Sequence, residues 1–153
     1  MRLISQGTQY AISAIIAISK FAPEGAISAS ELSKSLNCPS AYLSQILAKL
    51  KAPGIIKSQR GLKGGVFLAK PLEQINLYDV ITAIDGDDFF NQCFMGIDGC
   101  GKIEPCPFHL FWSKERDNIK EWLINTSFAD VDSQMSQKWF DLRLQFSSGE
   151  AKA

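Results

Sequence analysis

The chain has 153 residues, 46% hydrophobic and 21% charged, ordinary proportions for a soluble globular protein of one domain or a small domain with a helical attachment. Sixteen Lys/Arg balance sixteen Asp/Glu, but residues 1–70 hold nine bases and two acids (+7) and residues 71–153 seven bases and fourteen acids (−7). The longest apolar run, Ala14 to Ile18, is too short to cross a membrane, and the N-terminus lacks the zones of a secretory leader, so a cytoplasmic protein with reduced cysteines is expected.

In chain order, residues 8–21 predict a helix whose wide apolar face includes Ala11, Ala14, Ile15, Ile18 and Phe21, stopped by Pro23-Glu24-Gly25. Ser28-Ala29-Ser30-Glu31 reads as a capping box opening a short helix that buries Leu32 and Leu36. After a tight turn at Asn37-Cys38-Pro39-Ser40, a third helix is predicted from Ser40 to Ala52. Its Leu43, Ile46, Leu47 and Leu50 recur at i, i+3, i+4 and i+7 and face inward. Two β-type runs, Ile55–Ser58 and Val66–Ala69, flank a basic, glycine-rich loop and predict a hairpin. Asn76 caps a further helix ending near Gly86. Residues 87–107, rich in glycine, proline and cysteine, predict no helix. Helical pattern resumes from Phe108 to Asn125, Ser127 opens one more short helix, and a frayed tail is expected from Ser147.

Helix, short helix, turn, helix and hairpin are the order of a winged helix-turn-helix, in which the second helix of the pair enters the major groove. Ser40, Ala41, Tyr42, Ser44, Gln45, Ala48 and Lys49 then form its outward face and flanks. Small side chains allow close approach, and Gln45 suits an adenine edge. Lys49, Lys51, Lys57 and Lys63 suit phosphates, and Arg60 at the hairpin tip suits a narrow minor groove. The +7 half supports double-stranded DNA as the partner. Uneven, merely solvated charge is the alternative.

Cys93, Cys100 and Cys106 follow a C-x6-C-x5-C spacing, and His109, the single histidine, comes three residues later. Three thiolates and an imidazole can ligate zinc or hold an iron–sulfur cluster. Zinc usually takes a paired C-x-x-C, which is missing here. Structural thiols without a metal remain the other reading. Cys38, before the third helix, reads as a buried small hydrophobe. No phosphate-cradling loop or nucleophile–base pair suggests an enzyme.

With these residues assembled, about residues 1–135 resemble the IscR/NsrR-type bacterial winged-helix regulators. The matching pieces are Met1-Arg2-Leu3, Tyr10-Ala11, Tyr42-Leu43-Ser44-Gln45, the Arg60-Gly61 and Gly64-Gly65 wing, the three cysteines and Trp112. The resemblance implies a mainly α fold with a β-hairpin wing and a long dimerisation helix. Residues 1–75 would form the DNA-binding domain, and residues 76–153 the cluster loop and dimerisation helices of a homodimer. It further implies a DNA-binding transcription regulator tuned by an iron–sulfur cluster on Cys93, Cys100, Cys106 and His109, with [2Fe–2S] favoured over [4Fe–4S]. Members of the NsrR kind draw an acidic ligand from near the N-terminus, where Thr8 or Gln9 stands here. The first two cysteines are also one residue further apart than in IscR-like members. A regulator without a cluster, using thiol oxidation or zinc, is the alternative.

Overall fold

A computed structural model describes residues 3–147, with side chains to residue 142. The matching residues Met1 and Arg2, and the tail beyond Ser147, lie outside the described residues. The element order is α1 (Gln6–Phe21), α2 (Ala29–Leu36), α3 (Ser40–Lys51), β1 (Ile56–Gln59), β2 (Gly65–Leu68), α4 (Leu77–Asp85), α5 (His109–Asn125), α6 (Phe128–Gln134) and α7 (Gln137–Ser147).

Helices α1, α2, α4 and α6 begin where a side chain satisfies a free backbone donor, whereas α3 and α5 have no side-chain cap. Ser5 caps α1 by accepting from Thr8 N at 3.1 Å, which starts the helix two residues before the apolar pattern does. Ser28 caps α2 by accepting from Glu31 N, but only this half of the expected capping box forms; a reciprocal box closes instead between Ser127 and Asp130 on α6. Asn37 ends α2 in the left-handed region (φ 49°), and Asn76 opens α4 by accepting from Asp79 N at 2.8 Å.

α1 forms the centre of the core. Ala11, Ala14, Ile15, Ala17 and Ile18 are wholly buried against Leu32 and Leu36 of α2, Leu43 and Leu50 of α3, and Val80 and Ile81 of α4. Burying a Leu or Ile side chain is worth roughly 1.5–3 kcal/mol, so this cluster is the principal term holding α1–α4 together. Phe90, Leu123, Phe128 and Phe140 extend the same cluster beyond position 75.

The hairpin is antiparallel, with Ile56 opposite Leu68 and Gln59 opposite Gly65. Ile27 and Val66 exchange backbone hydrogen bonds at 3.0 and 2.8 Å, pinning the wing to the segment before α2. Gly65 is needed there: its φ is 146°, and a Cβ would fall on the Ile27 carbonyl. At the other end, Leu77 N donates to Thr126 O and Phe128 N to Ile75 O. The junction of α5 and α6 is thereby stitched to the start of α4. α7, absent from the sequence expectation, returns to α1 through Phe140, which is 2% exposed and lies 6.1 Å from the Phe21 ring.

Among the described residues, no helix is long and apolar enough to cross a membrane.

Candidate metal centre and nucleic-acid interface

Residues 87–107 make one short 3-10 turn, Asp88–Phe90, and otherwise a chain of tight turns. Positive φ at Gly86 (78°), Gly96 (72°), Gly99 (71°) and Gly101 (89°) lets the backbone fold back on itself. That folding brings the sulfurs of Cys93, Cys100 and Cys106 within 4.8 Å of one another, with Cys93 and Cys106 3.5 Å apart. Among the described residues this is the one such gathering of three ligand-type side chains.

His109 opens α5, and its Nδ1 lies 3.6 Å from Cys100 Sγ. The imidazole stands beside Cys100 and outside the tight sulfur trio. Its ring lies against the Gly101 backbone, where a Cβ would strike Cε1 and come within 2.8 Å of Nε2. Gly101 is thus part of the site, a requirement that sequence spacing does not reveal.

Backbone donors already address the thiols. Met95 N lies 3.4 Å from Cys93 Sγ, and Cys106 N lies 3.3 Å from Cys100 Sγ. The N–H of Ile97, then that of Met95, pull the Cys93 thiol down to about 7. Burial pushes Cys106 up, reinforced by the neighbouring Cys93 and Cys100. A cavity of about 360 Å³ adjoins these groups, lined by Cys93, Cys100, His109, Trp112 and Arg116 among others. Arg116 Nε is buried with no hydrogen-bond partner. Its guanidinium charge has no carboxylate partner among the described residues. The donor set of three sulfurs and one nitrogen, with this unmet cation, fits an anionic metal–thiolate group. A larger cavity of about 670 Å³ between the end of α1 and β2 contains no thiol or imidazole.

Cys38 is 3% exposed, and burial raises its thiol, in line with a core position.

On α3 the inward set Leu43, Ile46, Leu47 and Leu50 is buried, and Ser40, Ala41, Ser44, Gln45, Ala48 and Lys49 are exposed on the opposite side. Tyr42 is half-buried and meets Tyr10 edge-on at 5.8 Å between centroids. Lys57, Arg60 and Lys63 are exposed on the wing, whose tip is closed by Gln59 Nε2 donating to Lys63 O at 2.7 Å. Among the described residues, none of these cations is in an ion pair; the single pair joins Lys20 and Asp132.

One connection between the two regions was not expected from sequence. Asp85, the last residue of α4, accepts from Ser5 N (3.2 Å), Ser5 Oγ (2.6 Å) and the buried Thr8 hydroxyl (2.7 Å) at the start of α1. A carboxylate also complements the positive N-terminal end of that helix. Beside it, Lys49 Nζ of α3 donates to the Ile84 carbonyl at 3.3 Å. The point where the cysteine loop leaves α4 is therefore tied to both α1 and α3.

Residues 4–134 match the Rrf2 family, described as an iron-dependent transcriptional regulator. The chain is 31% identical over 131 residues to the HTH-type transcriptional regulator IscR of Erwinia tasmaniensis, covering 86% of this chain and 78% of that protein. Its fold is similar to CymR, the global cysteine regulator of B. subtilis, with a TM-score of 0.71, 28% identity, and coverage of 89% of this chain and all of that one. It is also similar to IscR of T. potens, with a TM-score of 0.68, 25% identity, and coverage of 88% and 92%. A winged helix with an exposed basic reading face, joined to a loop that gathers three thiols, thus belongs to a DNA-binding regulator and not to an enzyme, and the chain is a member of the Rrf2 family of transcriptional regulators.

Proposed function

We propose that this regulator binds its operator as a homodimer, with affinity tuned by an iron–sulfur cluster on Cys93, Cys100, Cys106 and His109. The observation that carries the reading is the gathering of three sulfurs within 4.8 Å, with His109 Nδ1 3.6 Å from one of them, at the first residue of α5. A single zinc with Zn–S of about 2.3 Å needs all four donor atoms mutually within about 3.8 Å. The imidazole stands outside the 4.8 Å sulfur group, which suits a centre whose ligands are spread over two irons. By resemblance to IscR-like members, His109 is the fourth donor, and no carboxylate stands at Thr8 or Gln9 to replace it as in the NsrR kind, which favours [2Fe–2S] over [4Fe–4S].

Bound there, the cluster supplies a redox- and assembly-sensitive anchor. The chain does the rest. His109 couples that anchor to the first turn of α5, and Asp85 and Lys49 couple the loop's origin to α1 and the recognition helix. Leu110, Phe111 and Trp122 on α5 are 81%, 71% and 62% exposed, an apolar face that a second copy would cover. On DNA, Ser40, Ala41, Tyr42, Ser44 and Gln45 meet the major groove and Lys49 an adjacent phosphate. Lys57 and Lys63 meet phosphates, and Arg60 reaches the adjacent minor groove, with half-sites about 34 Å apart.

The test is anaerobic purification of the full chain with iron and sulfide assay and a visible spectrum. Stoichiometric iron and acid-labile sulfide with a brown chromophore are expected, and their absence after reconstitution removes the cluster. A thiol-oxidation regulator is the second reading, favoured by the 3.5 Å between Cys93 and Cys106 sulfurs. It predicts a Cys93–Cys106 disulfide by peptide mapping in protein that takes up no sulfide.

A further inference from the structure

Arg116, on α5, lines the cavity bordered by Cys93 and Cys100. His109, Trp112 and Arg116 recur at i, i+3 and i+7, so they share one face of that helix. Trp112 Nε1 and Arg116 Nη1 both donate to the carbonyl of Gln92, at 2.9 and 2.8 Å, and Gln92 immediately precedes Cys93. The guanidinium therefore grips the backbone that presents the first thiol. Its Nε is, among the described residues, the one buried side-chain nitrogen or oxygen without a partner. The same residue lines the cavity shared by Cys93, Cys100 and His109. Lys102 also lines that cavity but is exposed, so water screens its charge.

A permanently charged guanidinium that lines this cavity and makes no ion pair among the described residues favours an anionic group in the same space, through its charge and not through the buried Nε. Three thiolates and a neutral imidazole on a two-iron, two-sulfide core carry one net negative charge oxidised and two reduced. We propose that Arg116 is the charge partner of this group: it favours the more negative, reduced form, raises the reduction potential and positions Cys93 through Gln92. The inference rests on the cluster reading above. Reduction adds one electron from an external one-electron donor and breaks no bond.

The test uses full-length protein and its R116K and R116Q variants, reconstituted anaerobically with ferrous iron and sulfide. Each is assayed for both, then titrated with dithionite through mediators. We expect R116K to keep the wild-type potential. R116Q is expected to shift the reduction equilibrium about tenfold toward the oxidised form, a fall of about 59 mV for one electron. A loaded R116Q at the wild-type potential overturns the inference and leaves the cluster standing. An R116K potential as low as that of R116Q overturns the charge assignment. If R116Q does not load, R116K decides: loaded at the wild-type potential it supports the charge, and unloaded it reduces Arg116 to a backbone anchor and overturns it. Wild-type protein that takes up no sulfide removes the cluster reading itself, and this inference with it.

Discussion

The winged region and the cysteine-bearing region treat their large apolar side chains in opposite ways. In α1–α3 and β1, Ile15, Ile18, Leu32, Leu36, Leu43, Leu50 and Ile56 are all essentially inaccessible. From the cysteine loop through α5, Phe94, Met95, Ile97, Ile103, Phe108, Leu110, Phe111 and Trp122 are exposed, while Phe90 and Leu123 are buried. The first region's core is closed, with Phe90, Leu123, Phe128 and Phe140 joining it from later in the chain. The second leaves apolar surface exposed and gathers three thiols beside an arginine that makes no ion pair among the described residues, so there is more left for a bound group or partner to satisfy. The signal-tuned regulator proposed above needs that division, because a region already satisfied has no interaction left for a signal to change.

The sharpest way to break the comparison is to remove a thiol. Changing Cys93, Cys100 or Cys106 to Ala is expected to abolish the chromophore while circular dichroism still shows a folded helical protein. Cys38→Ala is expected to leave it, because that side chain belongs to the winged core. Full iron and sulfide in all three loop variants would show that the loop is not the unsatisfied part.

A large effect is also expected in the other region. If its cations neutralise about six phosphates, operator affinity falls on the order of 10³-fold between about 50 and 200 mM salt, and Lys57→Ala or Lys63→Ala lowers the salt slope by about one. Arg60→Ala should weaken binding most at A·T-rich flanks, as gel shifts on matched operators would show. Affinity indifferent to salt would remove the electrostatic account.

The link between the regions can be cut at Asp85. Asp85→Ala leaves the buried Thr8 hydroxyl without its acceptor and α1 without a charged cap, so urea unfolding should report a loss of about 1–3 kcal/mol. Operator affinity should fall as well, since Ile84 and Lys49 adjoin the same point. A variant as stable as wild type would show that the two regions are joined elsewhere.

The cluster's own leverage is of similar size or smaller. Holo protein, cluster-free protein and His109→Ala should differ in operator affinity by about 1–3 kcal/mol at fixed salt, and equal binding by all three would make the centre purely structural. The mildest effect concerns cluster-free protein at pH 7. With its thiol lowered to about 7 by backbone donors, Cys93 is substantially thiolate there, and Cys106, raised by burial, is not. Mass-mapped alkylation should label Cys93 before Cys106, and raising the pH should narrow the gap.

The two regions also differ in how far their sequence speaks for them. α1 to α4 and the wing are legible because their signals are local: apolar residues at helical spacing, caps at Ser28 and Asn76, and a glycine-rich turn between β-branched runs; the Ser5 cap that starts α1 two residues early was not expected. The cysteine trio was legible from residue type alone, and the structure brings it together. What sequence does not disclose is contact across long separation. Asp85 meets Ser5 and Thr8 across nearly eighty positions, Gly101 is required by the ring of His109, and Arg116 reaches back to Gln92. α7 escaped for a related reason. Among its described side chains Trp139 and Leu142 stay exposed, and Phe140 turns inward onto Phe21 of the first helix, a contact distant in sequence.

The clamp at Asp85 has a consequence for protein engineering. A chimera that transplants the reading head of this protein and ends at position 75 would carry Lys49 without the Ile84 carbonyl, and Ser5 and Thr8 without their carboxylate. A graft extended to Gly86 brings all of these along and severs the chain one residue past the clamp, before the cysteine loop begins. The natural seam for exchanging specificity between regulators of this fold therefore lies after α4, and new operator preferences written into α3 will keep their attachment to the cysteine loop only when that seam is respected.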